Sequence, residues 1–178
     1  MLHVLDVVMN SVAAGARTVK VWIAEDRVHN RVQLKVADNG CGMSAELLEQ
    51  VLHGYATTRS KRAGWVGFGL ALLEGTVALT GGRFEVQSRP KRGTLVCADL
   101  PYDHPDRPPL GDVAGSLQPL LYGFTTVDLC LIRRLDERGY RVDTRPLRRA
   151  LGETYDSEAV RQWLVEHIRD AERALAEH

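Results

Sequence analysis

The chain has 178 residues, with 23 Lys+Arg against 23 Asp+Glu, so its formal net charge is zero and bulk attraction to nucleic acid or an anionic membrane is excluded as its organising feature. Hydrophobic residues make up 44% of the chain, enough for a sizeable core. Cys41, Cys97 and Cys130 are odd in number and widely spaced, so they suggest neither a zinc site nor a disulfide scaffold. The N-terminus has no basic leader, and no apolar run approaches the roughly 20 residues that span a bilayer, so a cytoplasmic protein is expected.

The first element reads as a helix. "LHVLDVVMNSVAAGA" places Leu5, Val8, Met9 and Val12 at helical spacing, with Gly15 as its C-cap. "TVKVWI" and "RVQLKVAD" alternate as half-buried strands, joined by polar "AEDRVHNR". After "DNGCGM", Ser44 caps a helix running to Gln50 or His53. "GYATTRSKRAGWVG" has no periodicity and reads as a long mobile loop. "FGLALLEGTVALTGG" is a helix stopped by Gly81 and Gly82, and "RFEVQS" and "TLVCADL" are strands around the turn "RPKRG". Four prolines between Pro101 and Pro109 mark a linker. Beyond it, a short helix, a hairpin around "LDERG" and two helices are expected. Asp156 or Ser157 caps the last, and Val160, Leu164 and Ile168 form its apolar stripe.

The turn "DNGCGM" admits a plain hairpin reading, since Asp, Asn and Gly tolerate left-handed backbone. A calcium loop fails, because Gly40 and Gly42 stand where oxygen ligands are needed. Asp6 and Asn10 lie at i and i+4, on one helix face. Gly67 and Gly69 open a later helix. Glycines after a strand and at a helix start suit phosphate and nucleotide binding, because bare N–H groups and the helix dipole attract anions. Neither a P-loop nor a GxGxxG dinucleotide fingerprint occurs.

Taken together, these motifs resemble the GHKL ATPase superfamily of gyrase, Hsp90, mismatch-repair ATPases and histidine kinases. "LDVVMNSVAAGA" resembles its N-box, "DNGCGM" and "GWVGFGLAL" its two glycine boxes, and "KRGTLVCADL" its closing strands. The resemblance covers residues 2 to about 101. It implies an α+β Bergerat-type two-layer sandwich, with helices on one face of a mixed sheet, over residues 1–101. A linker at 102–112 and a small α+β unit at 113–178 complete the expected organisation.

The resemblance also implies magnesium–ATP binding. Asp38 would accept from the adenine amino group, which favours ATP over GTP because a carboxylate only accepts. Gly40, Gly42 and Met43 would let the backbone approach, and Thr94 resembles a second contact on the adenine side. Asn10 matches the magnesium-binding Asn. Thr57, Thr58, Arg59, Lys61 and Arg62 belong to the loop that resembles an ATP lid, and Gly67, Phe68, Gly69 and Leu70 to the second glycine box. At the position of Asp6 the family usually has a Glu base. The Asp reads either as that base, one methylene shorter, or as an acceptor for magnesium-bound water.

Three departures matter. The family usually has a strand before the N-box helix, so the sheet here is smaller, is completed by a partner or second copy, or the chain is truncated. No histidine has the context of a phosphoacceptor, and no transducer domain with a catalytic Lys follows. The chain looks most like small stand-alone bacterial ATP-binding proteins with a similar N-box and a "DRPPLGD" linker. Gene neighbours of that group point to a hydrogenase-like or other redox partner. Two functions remain open: a protein kinase or slow ATPase acting on a partner, or a non-catalytic ATP-dependent switch that docks a partner through the C-terminal unit. A homodimer is left open as well.

Overall fold

The computed structural model describes residues 2–52 and 69–177. Helix α1 (Leu2–Ala13) leads into strands β1 (Thr18–Asp26) and β2 (Arg31–Asp38), then α2 (Ala45–Leu52) and α3 (Gly69–Leu79). Strands β3 (Arg83–Arg89) and β4 (Gly93–Pro101) follow, then α4 (Val113–Gly123), β5 (Asp128–Leu135), β6 (Arg138–Asp143), α5 (Thr144–Leu151) and α6 (Glu158–Ala176). The loop residues Thr57, Thr58, Arg59, Lys61 and Arg62, with Gly67 and Phe68, lie outside the described residues.

Local signals explain most element ends. Gly15 takes φ +73° and Gly81 φ +66°, left-handed turns after α1 and α3 that glycine makes without strain. The Ser44 hydroxyl accepts from the Leu47 N–H at the start of α2. Of the two candidate caps for α6, Ser157 is the one used, accepting from Val160 N–H. Asp112 caps α4 by accepting from Gly115 N–H at 2.8 Å.

The face that α1 buries is rotated from the expected one. Val4, Val7, Val8 and Ser11 are buried, while Leu5, Met9 and Val12 are half-buried on its flanks. Asp6 and Asn10, also half-buried, line the edge of that face.

The strands form one six-stranded sheet in the order β3-β4-β2-β1-β5-β6. All neighbours are antiparallel except β1 and β5, which are parallel, with Val19 beside Leu129 and Trp22 beside Ile132. This is the mixed-sheet α+β architecture that the sequence led us to expect. Residues 113–178, read above as a unit of their own, enter the same sheet through β5 and β6. The position beside β1 is therefore filled by the chain's own strand, not by a partner. Val8, Val21, Leu117, Leu131, Leu164 and Ile168 belong to one apolar cluster, so the core is shared across the proline-rich stretch.

Charge fastens this C-terminal part. Arg133, only 5% exposed, is ion-paired with Glu25 of β1 and lies 3.2 Å from Glu172 of α6. The Tyr140 hydroxyl donates to the same Glu172 carboxylate at 2.6 Å. A buried arginine needs such carboxylates, because an unpaired charge in the interior is strongly destabilising.

Candidate functional site

Asp38 is the last residue of β2, beside the buried face of α1. One carboxylate oxygen accepts from Gly40 N–H at 2.8 Å and from Thr94 N–H at 3.3 Å. The other accepts from the Ser11 hydroxyl at 2.8 Å. Ser11 also lies 3.2 Å from Val7 carbonyl, but it has one proton, and the charged acceptor is nearer and stronger. Three donors thus fix the carboxylate. A carboxylate has about four acceptor positions, so one remains for a ligand.

Glycines make this niche narrow. A Cβ on Gly40 would lie 2.9 Å from Ala14. Gly42 has φ +62°, and a Cβ there would meet Arg89 carbonyl oxygen at 1.9 Å. A Cβ on Gly93 would meet Asp38 carbonyl oxygen at 1.9 Å. Backbone bonds stitch the three loops together: Cys41 N–H donates to Ala14 carbonyl at 2.9 Å, and Lys91 N–H to Cys41 carbonyl at 2.7 Å. Asn39 has a local task, its side-chain oxygen accepting from the N–H groups of Arg17 and Thr18.

Thr94 is held from the side by Ser88, the two hydroxyls being 2.9 Å apart, and Ser88 also accepts from Met43 N–H. On the other flank, Gly69 opens α3 directly against Asp6, where a Cβ would sit 2.2 Å from that of Asp6. The structure thus brings Asp38, Gly40, Gly42, Met43 and Thr94 into one cluster, and Asp6 and Gly69 into contact. Asn10 stands one turn beyond Asp6 on α1. Neither Asp6 nor Asn10 has a side-chain hydrogen bond to another described residue. Leu70, expected at the site, is packed into the core at 7% exposure and offers a ligand only its backbone.

Sequence reasoning missed Ser11 and Ser88. A signal for Ser11 existed: it lies three, four and seven residues after Val8, Val7 and Val4, a polar residue on a buried apolar face that needs an acceptor. Ser88 carried none, because its role depends on the register that sets it opposite Thr94.

A family model described as histidine kinase-, DNA gyrase B- and HSP90-like ATPase matches residues 2–104, more than half of the chain. The chain belongs to this family. Among curated ATPases and kinases of that kind, sporulation kinase D of Bacillus subtilis is 29% identical over 103 residues, 56% of this chain and 20% of that protein. Sensor histidine kinase ZraS of Klebsiella oxytoca is 34% identical over 98 residues, 54% of this chain and 21% of that protein. The chain thus spans about a fifth of the length of these relatives.

The Aquifex aeolicus MutL ATPase domain, solved with ADP, aligns with a TM-score of 0.51 at 18% identity, covering 86% of this chain and 67% of that one. At that identity the likeness is one of fold. Its coverage exceeds the family match, so it reaches into the C-terminal part. Among the described residues, no helix is long and apolar enough to cross a membrane.

Proposed function

We propose that the Asp38 niche of this histidine kinase-like ATPase domain binds the adenine of ATP, with the triphosphate running toward Asp6, Asn10 and the start of α3. The observation that carries this reading is the Asp38 carboxylate, held by three donors with one acceptor position left over. That position suits the N6 amino group of adenine and repels the O6 of guanine. Glycines at 40 and 42 let the turn after β2 pack tightly against Ala14 and the β3–β4 turn, which fixes the backbone beside the carboxylate.

Magnesium fits the same edge of α1. Among the described residues no group of three His, Cys, Asp or Glu side chains gathers around a metal position. In this reading a magnesium ion would be held by the Asn10 amide oxygen, water and phosphate oxygens, which is its preferred kind of site. When bound, it offsets the negative charge of the phosphates.

Asp6, beside Gly69, is the candidate base for a water or a partner's hydroxyl. This makes the domain a slow ATPase or a protein kinase that acts on a partner. The test is calorimetry with magnesium on wild type, Asp38→Asn and Asp6→Asn, with GTP as control. ATP binding in the micromolar to millimolar range is expected, with little for GTP. Asp38→Asn should lose about 1–3 kcal/mol of that binding. Asp6→Asn should keep the binding and lose turnover. Unchanged turnover in Asp6→Asn would refute the base assignment and leave an ATP-dependent switch.

A further inference from the structure

The sheet has a second face; the main apolar cluster lies on the first, and on the second Cys130, beside Lys20, is buried. Val19, Val21 and Ile23 of β1 point into the apolar cluster, while the alternate residues Lys20, Trp22 and Ala24 do not belong to it. The register sets Trp22 between Ile132 of β5 and Lys35 of β2, with Cys97 of β4 next in the row. Ala24 and Ala37 flank that row, so the surface around the tryptophan is low.

Charge on this face is unevenly satisfied. The acids there are paired: Asp99 with Arg31 at 2.8 Å, Glu85 with Arg83 at 3.6 Å, Asp143 with Arg141 at 2.8 Å, Asp128 with Arg148 at 2.9 Å, and Asp26 with His29 at 2.7 Å. Lys20, Lys35 and Arg134 have no acidic partner among the described residues. A chain of zero net charge thus keeps uncompensated cations around a half-buried tryptophan. Protein interfaces are enriched in aromatic anchors and arginine, and uncompensated positive charge beside such an anchor favours a partner of opposite sign.

Size narrows the occupant. Six strands about 4.8 Å apart make a face about 24 Å wide. Strand lengths of six to nine residues make it roughly 20–30 Å long. That is less than the roughly 800 Å² per partner of a standard interface between globular proteins. It matches one helix laid across the strands, about 16 residues long at 1.5 Å per residue.

We propose that the open face of the sheet, centred on Trp22 and flanked by Lys20, Lys35 and Arg134, docks an amphipathic helix of a partner protein whose apolar stripe is bordered by Asp or Glu. The test is an NMR titration of the full chain with a synthetic 16-residue helical peptide carrying a Leu/Ala stripe bordered by Glu. The comparison probes are the same peptide with Lys for Glu and a single-stranded oligonucleotide. The Trp22 indole N–H is the reporter, assigned with Trp22→Phe.

The expected result is a saturable shift of that signal by the Glu peptide and none by the Lys peptide. Affinity should weaken at least tenfold in Lys20→Glu/Lys35→Glu, whose spectrum otherwise shows the native fold. Absence of a saturable shift, equal binding of both peptides, or unchanged affinity in the double variant overturns the proposal. Tighter binding of the oligonucleotide, or a shift that follows protein concentration alone, also overturns it, and would assign the face to nucleic acid or to a second copy.

Discussion

At the scale of single residues, the site depends on how little freedom Asp38 keeps. Its oxygens are held from α1, from the turn after β2 and from the start of β4. Ser11→Ala removes the α1 donor without changing the packing around it. Hydrogen bonds to charged groups contribute about 1.5–3 kcal/mol. We expect a loss of about that size in stability to urea, with ATP affinity several-fold weaker because the carboxylate can then rotate. A variant with wild-type affinity would show that Gly40 and Thr94 suffice to aim it. The clustering of Asp38, Gly40 and Gly42 was legible in the sequence because they follow one another in a single glycine-rich turn after β2. Ser88 was not, since only strand register gives it a role.

At the scale of elements, helix α6 shows how far the C-terminal part is joined to the rest. Leu164 is 1% exposed in the same apolar cluster as Val8 and Val21. Leu164→Ala should cost about 2–5 kcal/mol. Because the core is shared, that loss should appear equally in the unfolding of β2 and of α6, followed by residue-resolved hydrogen exchange. An unshifted midpoint for β2 would mean that the two parts unfold separately. The helices and strands were legible from periodicity and from residues such as Gly15, Ser157 and Gly81, which act locally. The pairing of β5 with β1 was not. Alternation in "TVDLCLIRR" says that one face is buried but not against what, and the prolines before it read as a boundary.

At the scale of the whole molecule, the ionisable groups set a pH window. Hydrogen bonds from His29 backbone hold Asp26 below the usual carboxylate range, those from Arg27 backbone do the same for Asp136, and those from the Arg145 side chain do so for Asp143. A carboxyl depressed in the folded state stabilises fully above its unfolded value, and that stabilisation fades as pH falls through the folded one. Tyr140 is shifted upward, first by burial and then by its bond to Glu172. Its contribution is complete below the unfolded value, near pH 10, and is lost as pH rises beyond it. Urea midpoints should therefore be level between about pH 5 and 9 and fall on both sides, with Tyr140→Phe flattening the alkaline fall. A fall that begins near neutrality would point to histidine instead.

The parallel pairing of β1 with β5 also has a consequence for synthesis. Val19 and its neighbour Leu129 stand 110 positions apart, and contacts so distant in sequence form late and slowly. While the chain is emerging, the nucleotide motifs are made first, yet one side of β1 waits for a strand still inside the ribosome. Until that strand arrives, β1 presents open backbone groups to any other extended chain. The nascent protein passes through an interval in which its candidate binding residues exist but the sheet that carries them is unfinished, and in that interval it is most exposed to aggregation.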